Sequence, residues 1–169
     1  MARQFLPLVL LTVLLSPAWA ESGQARPAQQ SPTAQSERVR QGVSHFERAF
    51  YELTPQKRDR EAALEFDQAV AQFELELTRQ PSSAMAHQYL GRIYSIRKDY
   101  RKSAQHYDRL SEIEPLNVDA CVLSALAWGE AGDFAEAKLR LLEARQRTSD
   151  PAALARITEY IAKADKMIR

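Results

Sequence analysis

Glycine and proline are scarce in this chain. Its 169 residues hold five glycines and eight prolines. So little turn punctuation excludes a fold of many short strands and suits a few long helices. Charge of one sign is also missing, with 23 Lys and Arg against 22 Asp and Glu. A phosphate-binding surface usually needs a basic excess, so nucleic acid is not an expected partner. The densest basic stretch, Lys57-Arg58-Asp59-Arg60, reads as a solvated loop. Cys121 is the single cysteine and has no intramolecular disulfide partner; among Ala120, Val122 and Leu123 it reads as a small buried apolar side chain. Sequence patterns for catalysis are missing too. There is no Gly-rich phosphate loop, no Gly-x-Ser-x-Gly elbow and no His-Glu-x-x-His helix. His45, His87 and His106 lie far apart in sequence, with His87 read as packed and His106 as solvent-facing. Glu74 and Glu76 read as a solvated pair. Asp99, His106 and Asp108 are the only polar cluster to nominate for chemistry. No enzyme, cofactor or metal site is expected.

What is present begins with an export pattern. Arg3 precedes an apolar run from Phe5 to Leu15, followed by Ser16-Pro17-Ala18-Trp19-Ala20. A basic start, an apolar middle and a small-x-small end make a signal peptide over residues 1–20. As a helix the run would rise about 16 Å, roughly half of a bilayer core, so it is short for a membrane span. Residues 21–38 hold no large apolar side chain and read as a disordered linker. The destination is periplasmic or extracellular, with no membrane span after cleavage.

From residue 39 onward the chain repeats itself at an offset of 34 residues. Pro81 falls on Pro115. Ala69 falls on Ser103 and Ala137, and Phe73 on Tyr107 and Leu141. Phe66 falls on Tyr100 and Phe134, Gly91 on Ala125, and Tyr94 on Trp128. Small residues meet small ones and bulky residues meet bulky ones. Within a unit, Leu90, Ile93 and Tyr94 recur at helical spacing. Asp99 then marks a turn, and Tyr100, Ser103, Ala104, Tyr107 and Leu110 make the stripe of a second helix. Glu114-Pro115 ends it.

Leu90-Gly91-Arg92-Ile93-Tyr94, then Ser103, Tyr107 and Pro115, resemble the tetratricopeptide repeat family. Ala125, Trp128, Gly132, Phe134, Ala137, Leu141 and Ala144 resemble it again, and Phe66, Ala69, Phe73 and Pro81 supply a further second helix. Leu110 stands where the family favours alanine, His87 where tryptophan is common, and Ser124 where leucine is usual. The resemblance implies an all-α fold, a right-handed α-α superhelix of about three helix pairs plus a C-terminal capping helix. The repeat domain spans 39–169, with units 39–83, 84–117 and 118–151 and a cap at 151–168. The first unit is the least regular. Its leading helix is expected from about Arg38 to Leu53, on Val43, Phe46, Ala49, Phe50 and Leu53, before a long loop from Thr54 to Arg60. The cap opens on Asp150 and Pro151 and carries a stripe of Leu154, Ile157, Ile161, Ala164 and Ile168.

The resemblance also implies function: an exported interaction or scaffold module that holds a peptide or a partner's helix in a concave groove. Its lining would be Met85, Gln88, Arg92, Ser95 and Ile96 from one unit and Asp119, Val122, Leu126 and Glu130 from the next. Lysines and asparagines with which one subset of the family clamps an acidic C-terminus are missing, since Gln88, Arg92 and Leu123 stand in their places. Two other expectations stand beside this one: an accessory subunit of, or part of, an envelope enzyme or assembly complex, and self-association through exposed repeat edges. If the signal reading holds, N-terminal sequencing of the exported chain should begin Glu21-Ser22-Gly23; a chain still carrying Met1 would contradict it.

Overall fold

The computed structural model describes residues 36–168. The signal segment and most of the expected linker lie outside them. Among the described residues there are seven α-helices and no strand. They are α1 (Glu37–Glu47), α2 (Asp59–Arg79), α3 (Ala84–Ile96), α4 (Tyr100–Ile113), α5 (Val118–Glu130), α6 (Phe134–Arg147) and α7 (Pro151–Ile168). A π-helical segment, Arg48–Leu53, continues α1. Successive helices pack as neighbouring pairs, α1 with α2, α3 with α4 and α5 with α6, and α7 covers α6. This is an all-α stack of the tetratricopeptide type.

The helix limits follow from local chemistry. Ser36 caps α1, its Oγ accepting from Val39 N at 3.2 Å. Glu37 and Arg38 therefore belong to the helix and not to the linker. Asp99 and Asp133 cap α4 and α6 in the same way, accepting from Lys102 N and Glu136 N. Asp150 caps α7 by accepting from Ala153 N at 2.9 Å, with Pro151 at the first helical position.

The turn inside each pair is the same turn three times. Lys57, Lys98 and Gly132 all take positive φ, at 58°, 60° and 84°. In each case the following amide reaches back to a helix carbonyl: Arg58 N to Leu53 O, Asp99 N to Tyr94 O and Asp133 N to Trp128 O. That six-to-one bond is the Schellman closure of a helix end. The first unit thus conforms to the others despite its irregular sequence. Its expected loop is shorter than Thr54 to Arg60, because α2 already begins at Asp59.

Inside each pair a small residue faces a bulky one. A side chain built on Gly91 would place its Cβ 2.9 Å from the Tyr107 ring, and one on Gly42 would come within 2.7 Å of the Phe73 ring. Gly42 is therefore the first unit's counterpart of Gly91. In the third pair Ala125 carries a Cβ, and Leu141 stands where the others have an aromatic ring. Volume is thus traded from one side of the contact to the other. Ser103, buried beside this contact, donates its hydroxyl to Gly91 O at 2.8 Å. Leu110, in place of the family's alanine, is accommodated by the small Ala120 and Ala127 of α5.

Putting valine at Gly91 should cost about 1–3 kcal/mol by overpacking Tyr107. At Gly129 a new Cβ would meet only the Ala137 Cβ at 3.9 Å, so Gly129→Ala should gain up to about 1 kcal/mol of helix propensity. Urea denaturation of both variants checks the pair, and a harmless Gly91→Val would show that the close approach is absent.

Candidate binding groove

The face carrying the first helix of each pair differs between its two halves. On the α1–α3 side it is filled by the protein itself. Phe46 meets Tyr89 edge to face at 5.0 Å, and Phe73 stacks on Tyr89 at 5.2 Å. The Arg92 guanidinium lies over the Phe46 ring, 4.7 Å from its centroid, and 5.6 Å from that of Tyr89. Burial raises the Tyr89 hydroxyl above its ordinary pKa, and the Arg92 charge works against that shift. Arg92, one of the expected groove residues, is thus engaged as a packing cation. Met85 is partly buried against the same aromatic cluster. Gln88 and Ile96 are exposed and Ser95 is half-buried.

On the α5–α7 side two hollows remain open. One, of about 370 Å³, is lined by Val118, Asp119, Val122, Leu123, Leu126, Ala153, Arg156, Ile157 and Tyr160. A second, of about 250 Å³, includes Leu126, Gly129, Glu130, Phe134, Tyr160, Lys163 and Met167. The first hollow joins the starts of α5 and α7 and the second joins their ends. The two helices therefore run side by side in the same direction. Leu126 and Tyr160 line both hollows, which makes one trough of them. Leu123, Leu126 and Met167 stay 38%, 42% and 61% exposed, enough apolar surface at one place to count as a patch. Asp119 and Arg156 rim the first hollow, and neither takes part in an ion pair among the described residues. Of the expected groove residues, the structure brings Asp119, Val122, Leu126 and Glu130 onto this trough and leaves the α3 set outside it. Ala153, Arg156, Ile157, Tyr160, Lys163 and Met167, all on α7, line the same trough and are not among the expected groove residues, because α7 reads in sequence first as a cap.

The nominated polar cluster does not form. Asp99 is spent on its helix cap. His106 turns toward α3, half-buried instead of solvent-facing. Asp108 turns the other way, toward α5 and α6. There it accepts from Ser124 Oγ at 2.5 Å, Trp128 Nε1 at 3.1 Å and Arg140 Nε at 2.6 Å. Burial opposes the Arg140 charge, but the hydrogen bond and charge of Asp108, then Glu143 and Glu136, hold its pKa above the usual range. This explains Ser124 in the place of leucine: it is a fully buried donor to a carboxylate that ties three helices together. Glu76 also departs from expectation. It is 4% exposed and accepts from Ser36 Oγ at 2.6 Å, so it anchors the start of α1. Its neighbour Glu74 is exposed and accepts from Tyr94 Oη at 3.3 Å. Cys121 is buried, with Arg147 Nη1 3.0 Å from Sγ; burial pushes its thiol pKa up, against reactivity.

Among the described residues no group of three or more His, Cys, Asp or Glu is placed to hold a metal ion, and no helix is long and apolar enough to cross a membrane. No family model matches the chain, and no curated protein does. Solved structures do. The N-terminal domain of stress-induced protein-1 (STI-1) from C. elegans is similar at a TM-score of 0.54 and 14% identity, covering 75% of this chain and 98% of that one. A point mutant of MamA is similar at a TM-score of 0.50 and 17% identity, covering 78% of this chain and 86% of that one. Both are helical-repeat proteins of the tetratricopeptide type, and the likeness places this fold among them.

Removing the shared acceptor should be costly. Asp108→Ala leaves Ser124 and Trp128 without their partner and Arg140 without its closest carboxylate, for a loss of roughly 2–3 kcal/mol. A denaturation midpoint equal to that of the unaltered chain would contradict the three-helix tie.

Proposed function

We propose that this chain is an exported protein-interaction module, and that the trough between α5 and α7 grips an apolar-anchored segment of a partner protein. The observation that carries this reading is the open pair of hollows joined at Leu126 and Tyr160. The remainder of the first-helix face is occupied by its own aromatic residues and Arg92. α5 has 13 residues, so the trough is about 20 Å long. The first hollow meets α5 between Val118 and Leu126 and the second between Ala125 and Glu130, so their midpoints lie about six residues and hence roughly 9 Å apart along α5. An amphipathic helix with large apolar residues at i and i+7 matches that spacing, with Leu126 and Tyr160 meeting the turn between. Asp119 and Arg156 would set direction by pairing with opposite charges on the ligand.

The tetratricopeptide-type fold supports a gripping role. So does the internal engagement of the polar groups, since Asp108, Glu76 and the histidines are used in packing and capping. Export rests on the pattern of residues 1–20.

The full chain, immobilised, should capture a defined protein from the extracytoplasmic fraction. Leu126→Asp should weaken that capture at least about tenfold by placing a charge on the shared wall of the hollows. Leu64→Asp, at a site 64% exposed on α2, should leave it unchanged. Equal capture by the Leu126 variant would remove the trough from the account.

A further inference from the structure

The two histidines that the sequence separates meet through their ring edges, tilted at 44° to each other. His87 Nδ1 lies 3.0 Å from His106 Nδ1, and His87 Nε2 lies 3.0 Å from the carbonyl oxygen of Pro81. These contacts fix where the protons sit. A carbonyl only accepts, so His87 Nε2 must carry a hydrogen. Neutral His87 then has a bare Nδ1, and His106 must donate to it from its own Nδ1. One extra proton is tolerated: a charged His87 donates from both nitrogens, to Pro81 O and to a bare His106 Nδ1. A second is not. Two charged rings would aim two N–H donors at each other across 3.0 Å, with no acceptor between them and like charges in contact.

The pair sits at a junction. Pro81 belongs to the turn from α2 into α3, His87 to α3 and His106 to α4. The His106 ring stacks on Tyr94 at 5.5 Å and 6°, and Tyr94 Oη reaches back to Glu74 on α2. A single string of contacts therefore joins α4, through α3, to the end of the first helix pair. The charges acting on it come mainly from α4. Lys102 opposes a proton on His106, Arg109 opposes one on His87, and Glu112 favours one on His87. From α3 comes the Tyr94 ring, with Lys102 5.0 Å from its centroid, and from α2 the Glu74 carboxylate beyond that ring's hydroxyl. No carboxylate hydrogen-bonds either imidazole among the described residues.

We propose that His87 and His106 form a proton-operated joint, which holds the α2–α3 turn against α4 while the pair carries at most one extra proton and lets go when both rings are charged. The joint is independent of the groove and of any partner. Burial first, then His87 and Lys102, lower the His106 pKa from 6.5 to about 4, and burial first lowers that of His87. The sign is then fixed. The unfolded chain takes up a proton near pH 6.5 that folded His106 refuses until about pH 4. Stability from this group is present in full above pH 7 and is lost progressively as the pH falls through that window.

Side-chain nitrogen NMR of the full chain between pH 8 and 4 tests the joint directly. At neutral pH His87 should carry its hydrogen on Nε2 and His106 on Nδ1. His106 should charge only near the bottom of the range, together with loss of protection at the Ser83 and His87 amides that bond within this turn. His106 titrating at an ordinary 6.5, or charging with no change in those amides, would overturn the proposal. Denaturant titration gives a second reading. Between pH 7.5 and 5 the unfolding constant should rise roughly 10–30-fold more in the unaltered chain than in His106→Gln, whose neutral amide keeps a donor toward His87. Equal acid sensitivity would also overturn it. Should the glutamine variant fail to fold, the NMR titration of the unaltered chain still decides.

Discussion

Where Gly91 has no side chain, the Tyr107 ring fills the space, and where Gly42 has none, the Phe73 ring does. These approaches set the distance between the two helices of a pair. Everything else is built on that distance. Each pair presents one apolar side that only a neighbouring pair can cover, so the stack has no single centre. The core divides accordingly into one cluster over α1 to α3, one between α4 and α5, and one over α5 to α7. Polar ties reinforce the stack: Glu76 of α2 holds the start of α1 and Asp67 of α2 pairs with Arg97 just past α3, both within the first cluster, while Asp108 ties α4, α5 and α6 across the other two.

The same construction separates the two ends of the first-helix face. At the amino-terminal end large aromatic side chains and Arg92 close the surface on itself. Toward the other end α5 is rich in small residues, Ala120, Ala125, Ala127 and Gly129, and α7 stands beside it with a single aromatic, Tyr160. Fewer bulky groups leave space, and the trough is that space. The cap therefore does two things. It buries Ile157, Ile161 and Ala164 against the last pair, and it supplies half of the candidate binding wall. Its final stripe residue, Ile168, stays half exposed.

The fold was legible because a repeat states its packing twice. The offset of 34 residues aligned Gly91 with Ala125 and Tyr107 with Leu141, and size matching alone fixed the helix pairs. Gly42 escaped notice because the π-helical turn and the following loop break that register. Only the contact with Phe73 and the repeated turn at Lys57 restore the correspondence. Side-chain partners were harder to read. Glu76 and Glu74 look alike in sequence, yet one is buried under Ser36 and the other is not, since a helix turns about 200° between them. His87 with His106 and Asp108 with Arg140 depend on how helices are set against each other, which no local pattern encodes. For the candidate groove, the four expected α5 positions line the trough, whereas the α3 positions lie outside it, beside the aromatic packing of Phe46, Phe73 and Tyr89.

A stack stabilised by neighbours should be firmest where each helix has covers on both sides. Amide hydrogen exchange across the full chain, read helix by helix at neutral pH, measures this most directly. Protection should be greatest in α3 to α6 and should fall off toward α1 and toward the end of α7. Equal protection throughout, or slowest exchange in α1 or α7, would mean that paired small and large side chains do not govern how this protein holds together.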